Sequence, residues 1–302
     1  MSSPACQARR PRDLCALPET QEMSLTHYQR EVCQLLAADR RKQGEQYIGG
    51  GAALNEWLKS VRVSHDVDLF HDALEAVLES WTTDRQALER AGHIVHVIRE
   101  FPSFVEAEIT RGDDGVILQW VQDSAFRFFP LVEHPDFGLA LHPFDLATNK
   151  TLALIGRTEI RDWFDIIHCH VHMQPFGYLV WAAAGKDPGL TPPFILDQAG
   201  RSTHYSKAEY ETLVFDGPAP DPESLVHTWR SMLEQAEQIV DRLPEDQLGT
   251  CVMTNDGTMF EGAPDALEEA LRSRKVCFHQ GCLRGAWPQI APPRHMVDSR
   301  RA

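Results

Sequence analysis

Two aspartates separated by a single residue, Asp66 and Asp68, close a stretch that opens on three consecutive glycines, Gly49, Gly50 and Gly51. Side chains alternate faces along a strand, so an extended Val61 to Phe70 points both carboxylates the same way. Two carboxylates on one face make a hard, oxygen-rich site suited to Mg²⁺, which takes one or two carboxylates and fills its shell with water and substrate phosphates. Glycines without a Cβ let backbone N–H groups approach a phosphate, and a short helix over Ala52 to Lys59 would direct its positive end there. Taken singly, each half is commonplace: Gly-rich turns are usually only turns, and Asp-x-Asp is often a solvated strand end. Together they put phosphates, metal and reacting group within Tyr47 to Phe70.

The surrounding elements must position that stretch. Thr26-x-x-Gln29 is a capping box, and Tyr28, Val32, Leu35 and Leu36 recur at helical spacing, which predicts a helix packed on a sheet that begins near Gln46. Asp72 to Arg90 is a second helix, broken near Thr82 and Thr83 and ended by Gly92. Three strands follow: His93 to Arg99, Phe104 to Thr110 and Val116 to Val121, the last two joined by the turn Gly112-Asp113-Asp114-Gly115. An extended piece over Phe126 to Leu131 would complete the sheet. Phe144 to Ile155 is helical with Asp145 as its cap, and Lys150 and Arg157, seven residues apart, fall near one face. Arg161 and Asp165 lie one helical turn apart, the spacing of a surface ion pair worth a few tenths of a kcal/mol. Beyond Gln174, prolines and glycines break the chain into loops around an apolar segment at Tyr178 to Ala184. Asp221-Pro222 then opens a helix that runs to Leu243, and Asp265 to Ser273 forms one more. The expected class is α+β: a mixed-sheet core with flanking helices at 23–174 and a mainly helical C-terminal region at 175–290. Residues 1–22 are expected to be a disordered leader, with Met23 as an alternative start, and 291–302 a flexible basic tail.

Three motifs in order carry a family resemblance: Gly50-Gly51 and its helix leading to Arg62-x-Ser64-x-Asp66-x-Asp68, then Lys150-x-x-Ala153-Leu154-x-x-Arg157, then Arg161-Asp162-x-x-Asp165. Over roughly Tyr47 to His172 the chain resembles the polymerase-β-like nucleotidyltransferases, in particular their AbiEii/AbiGii-type toxin branch. The resemblance implies that Asp66 and Asp68 bind catalytic Mg²⁺ or Mn²⁺. It also implies that Gly50, Gly51, Arg62, Ser64, Lys150 and Arg157 contact the nucleotide, with Lys150 also catalytic. The chemistry would be transfer of a nucleoside monophosphate from an NTP to a hydroxyl of RNA, tRNA or protein, in a toxin that an antitoxin restrains or in phage defence. Two metal ions would lower the acceptor's pKa and stabilise the leaving oxygen, while Lys and Arg offset transition-state charge. The chain departs from the family in two places. Gln119 stands where a third carboxylate is expected, leaving Asp123, or Glu106 and Glu108 on the neighbouring strand, to substitute. Gly51 replaces a Ser or Thr, which predicts weaker triphosphate contacts.

Composition bounds the alternatives. The 302 residues carry a net charge of −15, against broad sequence-independent nucleic-acid binding. No apolar run reaches the 18 or so residues of a membrane span and no signal peptide is evident, so the expected compartment is the cytoplasm. Seven scattered cysteines suggest reduced thiols rather than a disulfide framework. His168 and His172 are spaced for a Zn²⁺ pair but lack a completing carboxylate and read better as packing groups. Cys277 and Cys282 lack a second pair for a zinc ribbon. Three readings follow: an active nucleotidyltransferase, a degenerate nucleotide-binding or interaction module of the same fold, and a protein that docks a partner through the helix around Leu225 to Leu243.

Overall fold

The computed structural model describes residues 25–202 and 204–289. The expected leader and tail, Met23, Cys6 and Cys15 lie outside the described residues. Helix α1 (His27–Gln43) starts on the predicted capping box, with Thr26 accepting from Gln29 N and Gln29 reaching back, and stops at Gly44 in the left-handed conformation. Strand β1 (Gln46–Gly49) runs directly into α2 (Gly50–Leu58), and β2 (Asp66–His71) follows a short extended loop. Helix α3 (Leu74–Arg90) is continuous, not broken at Thr82 and Thr83. Both hydroxyls donate to carbonyls four residues back, Leu78 and Glu79, so the β-branched pair satisfies itself inside the helix.

Strands β3 (Ile94–Phe101), β4 (Phe104–Arg111) and β5 (Asp114–Gln122) form the expected meander, with Gly112 at positive φ in the two-residue connection of the second hairpin. The segment expected to complete the sheet does not: only Phe126–Arg127 (β6) is extended, and it leaves the sheet. Its place is taken by two three-residue strands, β7 (Val132–His134) and β8 (Gly138–Ala140). Then come α4 (Pro143–Arg157) and α5 (Ile160–His172). The cap of α4 is His142, whose Nδ1 accepts from Phe144 N. Asp145 instead is fully buried and accepts from Phe128 N and Phe129 N, fixing the chain ahead of the helix.

In the C-terminal region the apolar segment is a buried helix, α6 (Phe176–Ala183), and Pro192-Pro193 opens α7 (Pro192–Ser202) where loops were expected. A single-turn α8 (Lys207–Tyr210) precedes α9 (Pro222–Arg242), capped by Asp221 as predicted. A short 3₁₀ turn leads to β9 (Thr250–Thr254), α10 (Pro264–Arg272), β10 (Val276–Gln280) and β11 (Cys282–Leu283). The β9/β10 ladder was not anticipated, because its halves are 21 residues apart around α10 and show no hairpin signature.

The main sheet has the order β3-β4-β5-β2-β1-β8-β7, with parallel pairs only at β2/β5 and β1/β8. This is a mixed sheet flanked by helices, the α+β architecture that the element pattern predicts. Alternation divides its two faces. Val67, Leu69, Val105, Ala107, Leu118 and Trp120 are buried on the side of α1 and α3, whereas Asp66, Asp68, Ile117 and Gln119 stand half-buried on the other. The C-terminal region is joined to this core rather than appended. Strand β11 pairs with β6, Arg62 bridges Phe215, and Gln174 Nε2 donates to the carbonyls of Val252 and Phe260.

Helices α6 and α9 meet at Gly177, where an added Cβ would lie 2.7 Å from Ile239 Cβ and 3.0 Å from Ala236 Cα. Gly177→Ala is expected to cost about 1–3 kcal/mol by overpacking. Thermal denaturation checks this; a variant melting at or above the wild-type temperature would mean that the two helices do not approach so closely.

Candidate active site

Gly50 and Gly51 lie at the junction of β1 and α2, and the antiparallel register sets Gly49 opposite Asp68. Gly50 has φ +65°, and a Cβ there would overlap Asp68 Oδ2, so both the backbone conformation and the carboxylate against it require glycine. Gly51 faces a different group. A Cβ at that position would come 2.9 Å from Arg62 Nη2, 3.2 Å from Ser64 Oγ and 3.7 Å from Lys150 Nζ. The missing side chain thus lets the backbone come up against three converging donors. Ser64 supplies the hydroxyl that Gly51 lacks.

The donors are held by a buried ion network. Arg62 forms a two-pronged pair with Asp165, Nε at 2.7 Å and Nη2 at 2.8 Å. Lys150 Nζ lies 2.8 Å from Asp162 Oδ1 and 3.1 Å from Asp165 Oδ2. Arg157 completes a second fork on Asp162 at 2.7 and 3.0 Å. The seven-residue spacing of Lys150 and Arg157 places both on the face of α4 that meets the first turn of α5. Arg161 and Asp165 do not form the expected i,i+4 pair, because Asp165 turns into the core while Arg161 reaches Glu159 at 2.5 Å and Asp66 at 3.5 Å. Burial would lower the pKa of Lys150, but Asp165 and Asp162 more than reverse this and raise it. Burial likewise opposes the charge of Asp162 and is overcome by Arg157 and Lys150, so its carboxyl titrates below the usual range. Lys150 spends two of its three ammonium donors on these partners, which leaves one for a ligand.

The loop that carries Arg62 and Ser64 is tied down from three sides. Gln29 Nε2 donates to Ser64 O at 2.7 Å, Asn55 Nδ2 to Arg62 O at 3.0 Å, and Val63 N to Val214 O at 2.9 Å. Sequence reading found none of these supports. Gln29 showed only its capping role, and nothing in the pattern of Val214 announces a partner 151 positions earlier.

Asp66 accepts from Ser64 Oγ at 3.2 Å. Asp68 receives no hydrogen-bond donor among the described residues. Burial, then the charge of Asp66, push its pKa up to about 6, against the opposing pull of Lys150, Arg157 and Arg161. A half-buried carboxylate pair whose mutual repulsion the nearby cations only partly offset fits a divalent cation, and two carboxylates are enough for a hydrated Mg²⁺. Asp123, expected as a third ligand, is not brought to the pair. It follows the end of β5, four residues past the register partner of Asp68 and hence about 13 Å away along the strand, and its N–H donates to His71 O. No group of three or more His, Cys, Asp or Glu side chains among the described residues could hold a metal. His168 instead stacks on Phe164 and meets His172 at a tilt, and His170 accepts from Phe176 N.

No protein-family model matches the chain, and no curated protein does. Among solved structures, a protein from H. pylori proposed to be a nucleotidyltransferase matches 71% of the chain and 96% of its own, at 14% identity and a TM-score of 0.43. JHP933 from Helicobacter pylori matches 70% of the chain and 91% of its own, at 12% identity and a TM-score of 0.41. MenT4, a nucleotidyltransferase toxin from Mycobacterium tuberculosis, matches 71% of the chain and 86% of its own, at 14% identity and a TM-score of 0.41.

The raised pKa of Asp68 has a defined sign for stability. The folded chain holds this proton up to about pH 6 while an unfolded aspartate loses it near pH 3.8, so Asp68 makes the fold less stable as pH rises through that window. In metal-free buffer, Asp68→Asn is expected to gain on the order of 1–3 kcal/mol over wild type between pH 4 and pH 7. Paired melting curves across that range test it; a difference independent of pH would remove the raised pKa assigned to Asp68.

Proposed function

We propose that the protein is a Mg²⁺- or Mn²⁺-dependent nucleotidyltransferase of the AbiEii/AbiGii-type toxin branch. In this reading it moves a nucleoside monophosphate from an NTP to a hydroxyl of RNA, tRNA or protein in the cytoplasm, with an antitoxin as its restraining partner. The observation that carries this reading is the convergence at Gly50 and Gly51: the Asp68 carboxylate stands against Gly50, and Arg62, Ser64 and Lys150 gather at Gly51. Acid for a cation and donors for phosphates thereby meet across a backbone with no side chain in the way. The branch assignment rests on the three sequence motifs.

In the proposed reaction the acceptor oxygen bonds to the α-phosphorus, the bond from that phosphorus to the bridging oxygen breaks, and pyrophosphate leaves. A cation held by Asp66 and Asp68 would acidify the acceptor hydroxyl and offset charge on the leaving oxygen. Lys150 Nζ lies 3.7 Å from where a Cβ on Gly51 would stand, and its remaining N–H would stabilise phosphate oxygens there as charge builds. Arg157, with about half its side chain exposed, is the reach of the network into solvent. Arg62 gives Nε and Nη2 to Asp165 and turns Nη1 to the Val63 carbonyl, so it backs Ser64 rather than meeting ligand with a free fork.

One observation favours the alternative of a nucleotide-binding module without turnover. Asp162 and Asp165 neutralise much of the basic cluster, and Gln119 adds no charge beside Asp68. Incubating the full chain with each α-³²P-labelled NTP, Mg²⁺ or Mn²⁺ and total cellular RNA separates the two. Active transfer predicts label in RNA or protein that falls at least about a hundredfold in Asp66→Ala/Asp68→Ala. NTP binding without incorporation supports the module, and neither binding nor label overturns both.

A further inference from the structure

Asp68 on β2, Gln119 on β5 and Glu106 on β4 stand in one row across the open face of the sheet. Asp68 pairs with Gln119 in the parallel ladder, and Gln119 pairs with Glu106 in the antiparallel one. With strands about 4.8 Å apart, Gln119 sits between the two acids. Its Nε2 donates to Glu106 Oε1 at 2.9 Å, while Arg99 Nε donates to Glu106 Oε2 at 2.8 Å. Glu106 is only 6% exposed, and with both oxygens engaged its carboxylate has one orientation. A carboxylate held in an ion pair accepts and does not donate, so the amide end that faces it is the NH₂. The carbonyl end of Gln119 is therefore turned away from Glu106, and Asp68 is the register neighbour on the strand beyond. Among the described residues no donor engages that carbonyl.

We propose that Arg99 and Glu106 are positioning residues that hold Gln119 with its carbonyl oxygen toward a cation at Asp66 and Asp68, so that the third protein oxygen of the site is a neutral amide. The inference rests on the metal-binding reading of those aspartates and adds to it a chain of three residues on three further strands. Amide carbonyls are ordinary ligands for hard divalent cations, and an oriented outer partner is what keeps such a ligand in place. The site then carries two ligand charges where three carboxylates would carry three. The salt bridge at the far end of the row reaches solvent, since the Arg99 side chain is 58% exposed.

Glu106→Gln tests this at nearly constant volume. Arg99 keeps the carbonyl oxygen of the new amide, its NH₂ faces Gln119, and Gln119 must reverse and present its own NH₂ to the cation. The measurement is Mn²⁺ affinity of the full chain without nucleotide, from the electron paramagnetic resonance signal of free Mn²⁺. Glu106→Gln and Gln119→Ala are each expected to weaken binding about tenfold, the loss typical of a missing outer partner. The double variant should lose no more than either single one, because the two act as a unit. Should Glu106→Gln fail to fold, Arg99→Ala opens the same clamp from the surface and is expected to weaken Mn²⁺ binding severalfold. Mn²⁺ binding that disappears in Asp68→Asn but is unchanged in the Gln119, Glu106 and Arg99 variants overturns the relay and leaves the metal site standing. A wild-type chain that binds no Mn²⁺, or binds it regardless of Asp68→Asn, overturns both.

Discussion

The site depends on a buried chain of alternating charge, from Arg62 through Asp165, Lys150 and Asp162 to Arg157. Burying any one of these charges alone would cost several kcal/mol, and each is stable only because its neighbours in the chain are present. The network joins three places far apart in sequence: the loop between α2 and β2, the middle of α4 and the first two turns of α5. It therefore does two jobs with one set of atoms. It locks the α4/α5 corner against the sheet, and it fixes the donors over Gly51. Removing one member leaves its partner charged and unpaired, so the positions of the donors and the stability of the corner cannot be varied separately.

The contrast between the two faces of the sheet explains why the aspartates can sit so close together. On the side of α1 and α3, period-two alternation packs Val67, Leu69, Leu118 and Trp120 into a continuous apolar layer, with Asp84 accepting from Gln46 and Trp120 at its margin. On the other side the same strands present Asp66, Asp68, Gln119 and Glu106. The buried layer holds the polar row rigidly, and Gly50 brings backbone against a carboxylate at a distance that no side chain would permit.

Much of this was legible in the sequence, and the rest was hidden for physical reasons. Local signals worked where they are strong: the Thr26 box, the Asp221-Pro222 start, the β4/β5 turn, and the spacing that places Lys150 and Arg157 on one face. The partner of Asp165 is another matter. At a helical spacing Arg161 is the natural choice, yet a bidentate fork from a buried Arg62, more than a hundred residues earlier, outweighs a surface pair worth a few tenths of a kcal/mol. Strands β7 and β8 are three residues each, too short to show a period. Asp145 was read as a cap because its position fits one, but full burial lets it serve two backbone donors upstream instead. Asp123, offered as a substitute ligand, lies beyond the end of β5 and too far along it to reach the pair.

The loop bearing Arg62 and Ser64 is braced by the backbone of Val214 to Asp216, and β6 finds its partner strand only at Cys282–Leu283. Pairings of this span must close large loops before they repay the entropy, which slows folding. A nascent chain that has emerged through α5 already contains every residue of the three motifs, but not the strand that holds Arg62 in place. The brace on the Arg62–Ser64 loop therefore closes only once the chain has emerged past Asp216, well after the residues of the three motifs are in place.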